Sequence, residues 1–128
     1  MDEVTRIRGH AAVYDRVDRA GDVMRRGAFG VPVPVAVPLL MQHRGAPVGT
    51  IEAIREDARG LWIEAIVDDA DAARLVRGGA LPGLSVGYRA TATRQGAWRE
   101  IFAADLVEVS LVARPAQPLA RVELVSGD

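Results

Sequence analysis

Residues 48–56, Val48-Gly49-Thr50-Ile51-Glu52-Ala53-Ile54-Arg55-Glu56, run through Asp57-Ala58-Arg59 into Gly60-Leu61-Trp62-Ile63-Glu64-Ala65-Ile66-Val67. In the second arm Leu61, Ile63, Ala65 and Val67 fall on one face and Trp62, Glu64 and Ile66 on the other. A period of two belongs to a strand with one face in a core. Asp57 to Gly60 carries turn chemistry, so the two arms read as a β-hairpin. The same reading extends outward. Val4 to Val13 is β-branched and ends in the turn-rich run Asp15 to Asp22. Leu39 to His43 is a short buried strand, followed by a turn at Arg44-Gly45-Ala46-Pro47. Leu84 to Thr93 and Trp98 to Val112 are long β segments joined at Arg94 to Ala97, the second broken near Ala104-Asp105. Arg121 to Val125 reads as an edge strand. Val31 to Pro38 alternates valine with proline, which lacks the ladder donor, and is expected as an extended surface loop.

One helix interrupts the strands. Asp69 is its N-cap, Asp71 suits the positive N-terminal end, Arg74 and Arg77 suit the other end, and Gly78-Gly79 stops it. Ala72, Leu75 and Val76 are its expected apolar stripe. The fold class is therefore mainly β with one or two helices (α+β): a small closed or nearly closed antiparallel β-barrel flanked by helix. At 128 residues it is read as a single domain, 1–128, with its core at about 4–125.

Composition narrows the chemistry. The chain has no cysteine, which removes disulfides, thiol nucleophiles and thiolate metal sites. Its 16 basic residues are all arginine, so no lysine can act as base or Schiff-base nucleophile. A net charge of −1 gives no sign of a nucleic-acid partner. The apolar segment Gly27 to His43 is broken by Pro32, Pro34 and Pro38, and no membrane span is expected. The two histidines lack zinc-site spacing. Asp68, Asp69 and Asp71 cluster where acids belong at a helix start, so neither metal nor cofactor is expected. Gly78 to Gly83 follows a helix instead of opening one and matches no phosphate loop.

What remains is nucleophilic catalysis. Its candidates are Ser85, Ser110 and Ser126, with His10 or His43 as base. Ser126 lies in the last residues, and Ser110 in mid-strand. Ser85 starts a strand between Gly83 and Gly87, which permit close approach to its backbone. His43 ends a buried strand, a position suited to a cleft. Glu108 shares a strand face with Ser110, opposite Val107, Val109 and Leu111. A carboxylate there needs a partner, either a histidine N–H or an arginine.

These pieces together resemble the prohead maturation proteases of tailed bacteriophages, the HK97-like serine proteases, themselves similar to the herpesvirus assembly protease. The resemblance runs from Gly9 to Val122. It rests on Gly9-His10-Ala11-Ala12-Val13-Tyr14, Gly21-Asp22-Val23 with Gly27-Ala28-Phe29, and Met41-Gln42-His43 with Pro47-Val48-Gly49. It continues in Gly83-Leu84-Ser85-Val86-Gly87-Tyr88, Glu108-Val109-Ser110-Leu111-Val112 and Pro115-Ala116-Gln117-Pro118. It implies a herpesvirus-protease-like fold and a triad of His43, Ser85 and Glu108. His10 is then not the base, and Ser110 belongs to the frame of the Glu108 strand. Arg114 or the backbone around Ser85, Val86 included, is implied for the oxyanion region. Arg44 stands where relatives often carry an acidic or amide residue.

The implied function is a serine endopeptidase of capsid maturation. Its partners would be the major capsid protein with its scaffolding segment and the enzyme itself, as a homo-dimer or assembly-dependent oligomer. It would act inside the assembling prohead in the bacterial cytoplasm. The chain reads as such a domain without a scaffold extension. The alternative is a catalytically silent, scaffold-like module that binds capsid subunits.

Overall fold

The computed structural model describes residues 4–127, with side chains through Glu123. The described elements are β1 (Thr5–Val13), β2 (Asp22–Met24), β3 (Leu39–Met41), β4 (Arg44–Glu56), β5 (Gly60–Val67), α1 (Ala70–Arg77), β6 (Gly83–Gln95), β7 (Arg99–Val112) and β8 (Val122–Gly127). All strands join one curled sheet in the order β2-β7-β3-β4-β5-β1-β8, with β6 along the other side of β7. The pairings are antiparallel except that β2 and β3 both run parallel to β7. The curl nearly closes where Gly83 bridges Arg121. There Leu84 N–H donates to the Ala120 carbonyl at 3.1 Å and Val122 N–H to that of Pro82 at 3.0 Å.

The β4–β5 hairpin forms as its alternation requires. Leu61, Ile63, Ala65 and Val67 are all buried, and Asp57 Oδ1 accepts from Arg59 N at 2.9 Å and Gly60 N at 3.0 Å in the turn. Inside the curl, Ile7, Leu39, Ile63, Leu84, Val109 and Leu111 form the larger apolar cluster. Tyr14, Phe29, Leu61 and Ile101 anchor a second. The Val31 to Pro38 segment lies outside the strands, with Val31 and Val35 exposed on the surface.

Helix α1 is capped as expected, Asp69 Oδ2 accepting from Ala72 N at 2.9 Å. Its buried stripe is narrower than predicted. Ala72 and Val76 are buried but Leu75 is exposed, because eight residues lay only one edge on the sheet.

Three boundaries differ from the sequence reading. Segment 99–112 is one unbroken strand. β6 pairs along all of it, and register shifts opposite Ala90 to Thr93 absorb the irregularity expected at Ala104-Asp105. The turn after β3 is Gln42-His43, not Arg44 to Pro47, with Met41 paired to Arg44. Pro47 instead sits in an irregular stretch of β4 between the Arg44 and Gly49 pairings. Strand β2 was not expected: three residues are too few to show a period, and pairing with β7 makes them a strand.

Candidate active site

Strand β7 is the spine of the site. At Val109 to Leu111 it is flanked by β3 on one side and β6 on the other. Ser85 of β6 lies directly across from Ser110, and Gly87 across from Glu108. Paired residues point to the same face, so Ser85, Glu108 and Ser110 share one side of the sheet. His43 arrives on that side from the turn after β3. Gln42 (φ 55°) and His43 (φ 63°) both have left-handed backbone. Two positive φ angles in a two-residue hairpin loop are the mark of a type I′ turn, which normally takes Asn or Gly. A histidine there costs about 1 kcal/mol of backbone strain, the kind that collects at functional sites.

The turn is held by its neighbours. Gln42 N–H donates to the Leu111 carbonyl at 2.9 Å, Gln42 Oε1 accepts from Ala113 N at 3.0 Å, and His43 N–H donates to Ser110 Oγ at 3.0 Å. Ser110 Oγ in turn donates to Glu108 Oε2 at 2.7 Å. The other carboxylate oxygen, Oε1, lies 2.6 Å from His43 Nδ1. With Nδ1–H donating to an ionised carboxylate, Nε2 is left as the proton acceptor. The Glu108 side chain is 8% exposed and that of His43 is 45% exposed. The carboxylate is thus enclosed while the imidazole opens to a cleft.

That cleft, about 390 Å³, is lined by Gln42, His43, Arg44, Ser85, Arg114 and Ala116 among others. Ser85 itself is 7% exposed and, among the described residues, its hydroxyl has no hydrogen-bond partner. The two glycines around it have specific uses. A Cβ on Gly87 would lie 2.5 Å from Glu108 Oε1, and one on Gly83 would lie 2.6 Å from the Pro115 ring. Gly87 therefore makes the space in which the carboxylate lies flat over β6.

His43 Nδ1 meets Glu108 Oε1, and Ser85 lines the same cleft as His43 without a hydrogen bond to either among the described residues. Arg114 lines the same cleft, and Val86 lines a second pocket that also reaches Ser85. His10 is elsewhere and buried, its ring between Glu123 Oε2 at 2.6 Å and Asp57 Oδ2 at 2.7 Å. Ser126 pairs with Arg6 through its backbone in β8, and its side chain lies outside the described residues.

The strand parity used for Glu108 needs one correction. Val107 does not face inward with Val109; it is 54% exposed, because the register jumps from Gly87–Glu108 to Tyr88–Leu106 and leaves Val107 as a bulge. Ser110 proves to be more than frame, since it joins Glu108 to the backbone of His43. Its shared face with Glu108 was the only signal for this in the sequence. Among the described residues no group of three His, Asp or Glu could hold a metal ion, and no helix is long and apolar enough to cross a membrane.

A serine and an imidazole that line one cleft, the imidazole's Nδ1 held by a buried carboxylate, are the groups a serine hydrolase uses, here on a curled sheet with one helix. Comparison with known proteins gives the same class. The chain belongs to the caudovirus prohead serine protease family, whose model matches residues 1–128. No curated protein sequence matches it.

Among solved structures it is similar to varicella-zoster virus protease, with 19% identity, TM-score 0.60, and coverage of 98% of this chain and 64% of that one. It is also similar to the protease of Kaposi's sarcoma-associated herpesvirus solved with a hexapeptide phosphonate inhibitor. There the identity is 16%, the TM-score 0.56, and the coverage 89% of this chain and 61% of that one. At these identities the likeness is one of fold, and the chain spans less than two thirds of either viral protease.

Proposed function

We propose that the protein is a serine endopeptidase with Ser85 as nucleophile, His43 as general base and acid, and Glu108 as the orienting carboxylate. The observation that carries this reading is the 2.6 Å contact of His43 Nδ1 with Glu108 Oε1 at the wall of a cleft that also contains Ser85. Ser85 Oγ attacks the scissile carbonyl carbon while His43 Nε2 takes its proton. His43 then gives that proton to the leaving amine as the C–N bond breaks, and water repeats the sequence on the acyl-enzyme. Glu108 holds the tautomer and balances the imidazolium. Arg114 and the backbone around Ser85 and Val86 supply the oxyanion region.

The family points to capsid and scaffold proteins as substrates, the protease itself included, cleaved inside the assembling prohead in the host cytoplasm. It also points to activation as a dimer or on assembly, which would spare the substrate until the shell has formed.

The test is labelling by a fluorophosphonate together with cleavage of co-expressed capsid precursor. Wild type should label on Ser85. Ser85→Ala should neither label nor cleave, and Glu108→Gln should lose about 10³- to 10⁴-fold in rate with its fold intact. If purified capsid-bound protein never labels while assembly still depends on it, the protein is a silent assembly module and the protease reading fails.

A further inference from the structure

Ser85 and Ala116 are shared by two cavities. The open cleft contains His43. The other is a narrow pocket beside Ala11, Val13, Met24 and Val86. In the reaction proposed above, on which this inference rests, His43 must reach the leaving amine. The leaving amine, and with it the start of the leaving-group half, therefore lies on the His43 side of Ser85, and the pocket on the other side of Ser85 is open to the acyl-side residue.

The charge of the cleft is one-sided. Its charged lining side chains are Arg44 and Arg114, and no carboxylate lines it. Both arginines are exposed, and neither guanidinium has a hydrogen bond or ion pair among the described residues. Among the described residues several other arginines are engaged within the fold. Arg25 binds Asp15 and Glu100, Arg99 binds Asp22, and Arg89 binds Asp105. The Arg44 side chain has no polar partner among the described residues, while its backbone is fixed by pairing with Met41 directly after the His43 turn. A guanidinium anchored next in sequence to the base, lining its cleft and left unpaired, is free to meet a carboxylate from outside.

We propose that Arg44 is a specificity-determining residue that selects substrates with Asp or Glu within the first few positions on the leaving-group side of the scissile bond. Arg114 adds to the positive field of that half of the cleft. The preferred cleavage segment is thus an acidic one downstream of the cut, and a basic residue there is rejected by like charge.

Two measurements on the full chain test this. A proteome-derived peptide library is digested by wild type, Arg44→Gln and Arg44→Glu, and the cut sites are read by mass spectrometry. In parallel, fluorescein-labelled octapeptides carrying two Glu, two Gln or two Lys in the downstream half are bound to Ser85→Ala and followed by anisotropy. Wild type should enrich acidic residues downstream. Arg44→Gln should lose the enrichment, and Arg44→Glu should turn it towards Lys and Arg.

The Glu octapeptide should bind about tenfold tighter than the Gln one at low salt, with the gap closing at high salt and in Ser85→Ala/Arg44→Glu. Equal binding of the three peptides, or an acidic preference that survives Arg44→Glu, overturns the inference. The two readings fail separately. Acidic preference in Ser85→Ala without turnover by wild type removes the protease and keeps Arg44. Turnover without acidic preference does the reverse.

Discussion

Removing one oxygen at Ser110 should separate catalysis from stability. Ser110 is fully buried, and its hydroxyl makes two bonds, accepting from His43 N at 3.0 Å and donating to Glu108 Oε2 at 2.7 Å. In Ser110→Ala the buried carboxylate oxygen loses a charge-assisted bond, for about 1.5–3 kcal/mol, and the strained His43 turn loses an anchor. We expect about 2–3 kcal/mol of destabilisation. At about 4 °C per kcal/mol for a chain of this size, that is a fall of roughly 8–12 °C in Tm. The His43–Glu108 contact remains but is no longer fixed from both sides. The rate of Ser85 phosphonylation should therefore fall by about 30-fold, near 2 kcal/mol.

Ser110→Thr supplies the control. It keeps the hydroxyl but adds a methyl to a filled site, for about 1–3 kcal/mol. Its labelling rate should recover to within a few-fold of wild type while its Tm stays low. The assays are labelling kinetics at 20 °C, where both variants are folded, and thermal melts by circular dichroism. If Ser110→Ala labels at the wild-type rate, or Ser110→Thr labels as slowly as Ser110→Ala, the serine does not position Glu108.

Gly87→Ala places a Cβ 2.5 Å from Glu108 Oε1, and the enclosed carboxylate must shift. The spectrum should remain that of a β protein while labelling of Ser85 drops by about 100-fold or more. His10→Ala removes the ring between Asp57 and Glu123, leaving two facing carboxylates. Melts should show a loss of about 1–3 kcal/mol, from the emptied imidazole site and the two hydrogen bonds lost, and, in protein held at 20 °C, little change in labelling, since His10 lines neither cavity. Asp22 is held below its usual 3.8, chiefly by its hydrogen bonds from Arg99 and also by that from Tyr88. A carboxylate with a depressed folded pKa adds stability above its unfolded value, and that stability is lost as pH falls through the folded one. The Tm gap between wild type and Asp22→Asn should thus be present at pH 6 and narrow progressively as pH falls below 3.8; a constant gap would reject the ion pair as its source.

Much of the candidate site was legible in the sequence. The scarcity of serine and histidine left few actors, glycine spacing marked Ser85, and an acid in an apolar strand marked Glu108. Family resemblance then chose His43 over His10. Local pattern alone could not choose, because a buried histidine such as His10 satisfies its nitrogens with carboxylates at distant positions 57 and 123. The Val107 bulge was illegible for a related reason. An extra residue in one strand is defined only by the partner strand opposite it.

The sequence by itself determined the strand periods, the capped helix and the short roster of reactive side chains, because these depend on neighbours in the chain. Only the tertiary structure decided that β3 and β6 lie on either side of β7. That arrangement brings position 43 against 108, and 85 across from 110, to make one site. Strand order and register arise from burying all the apolar faces at once. No local stretch contains that condition.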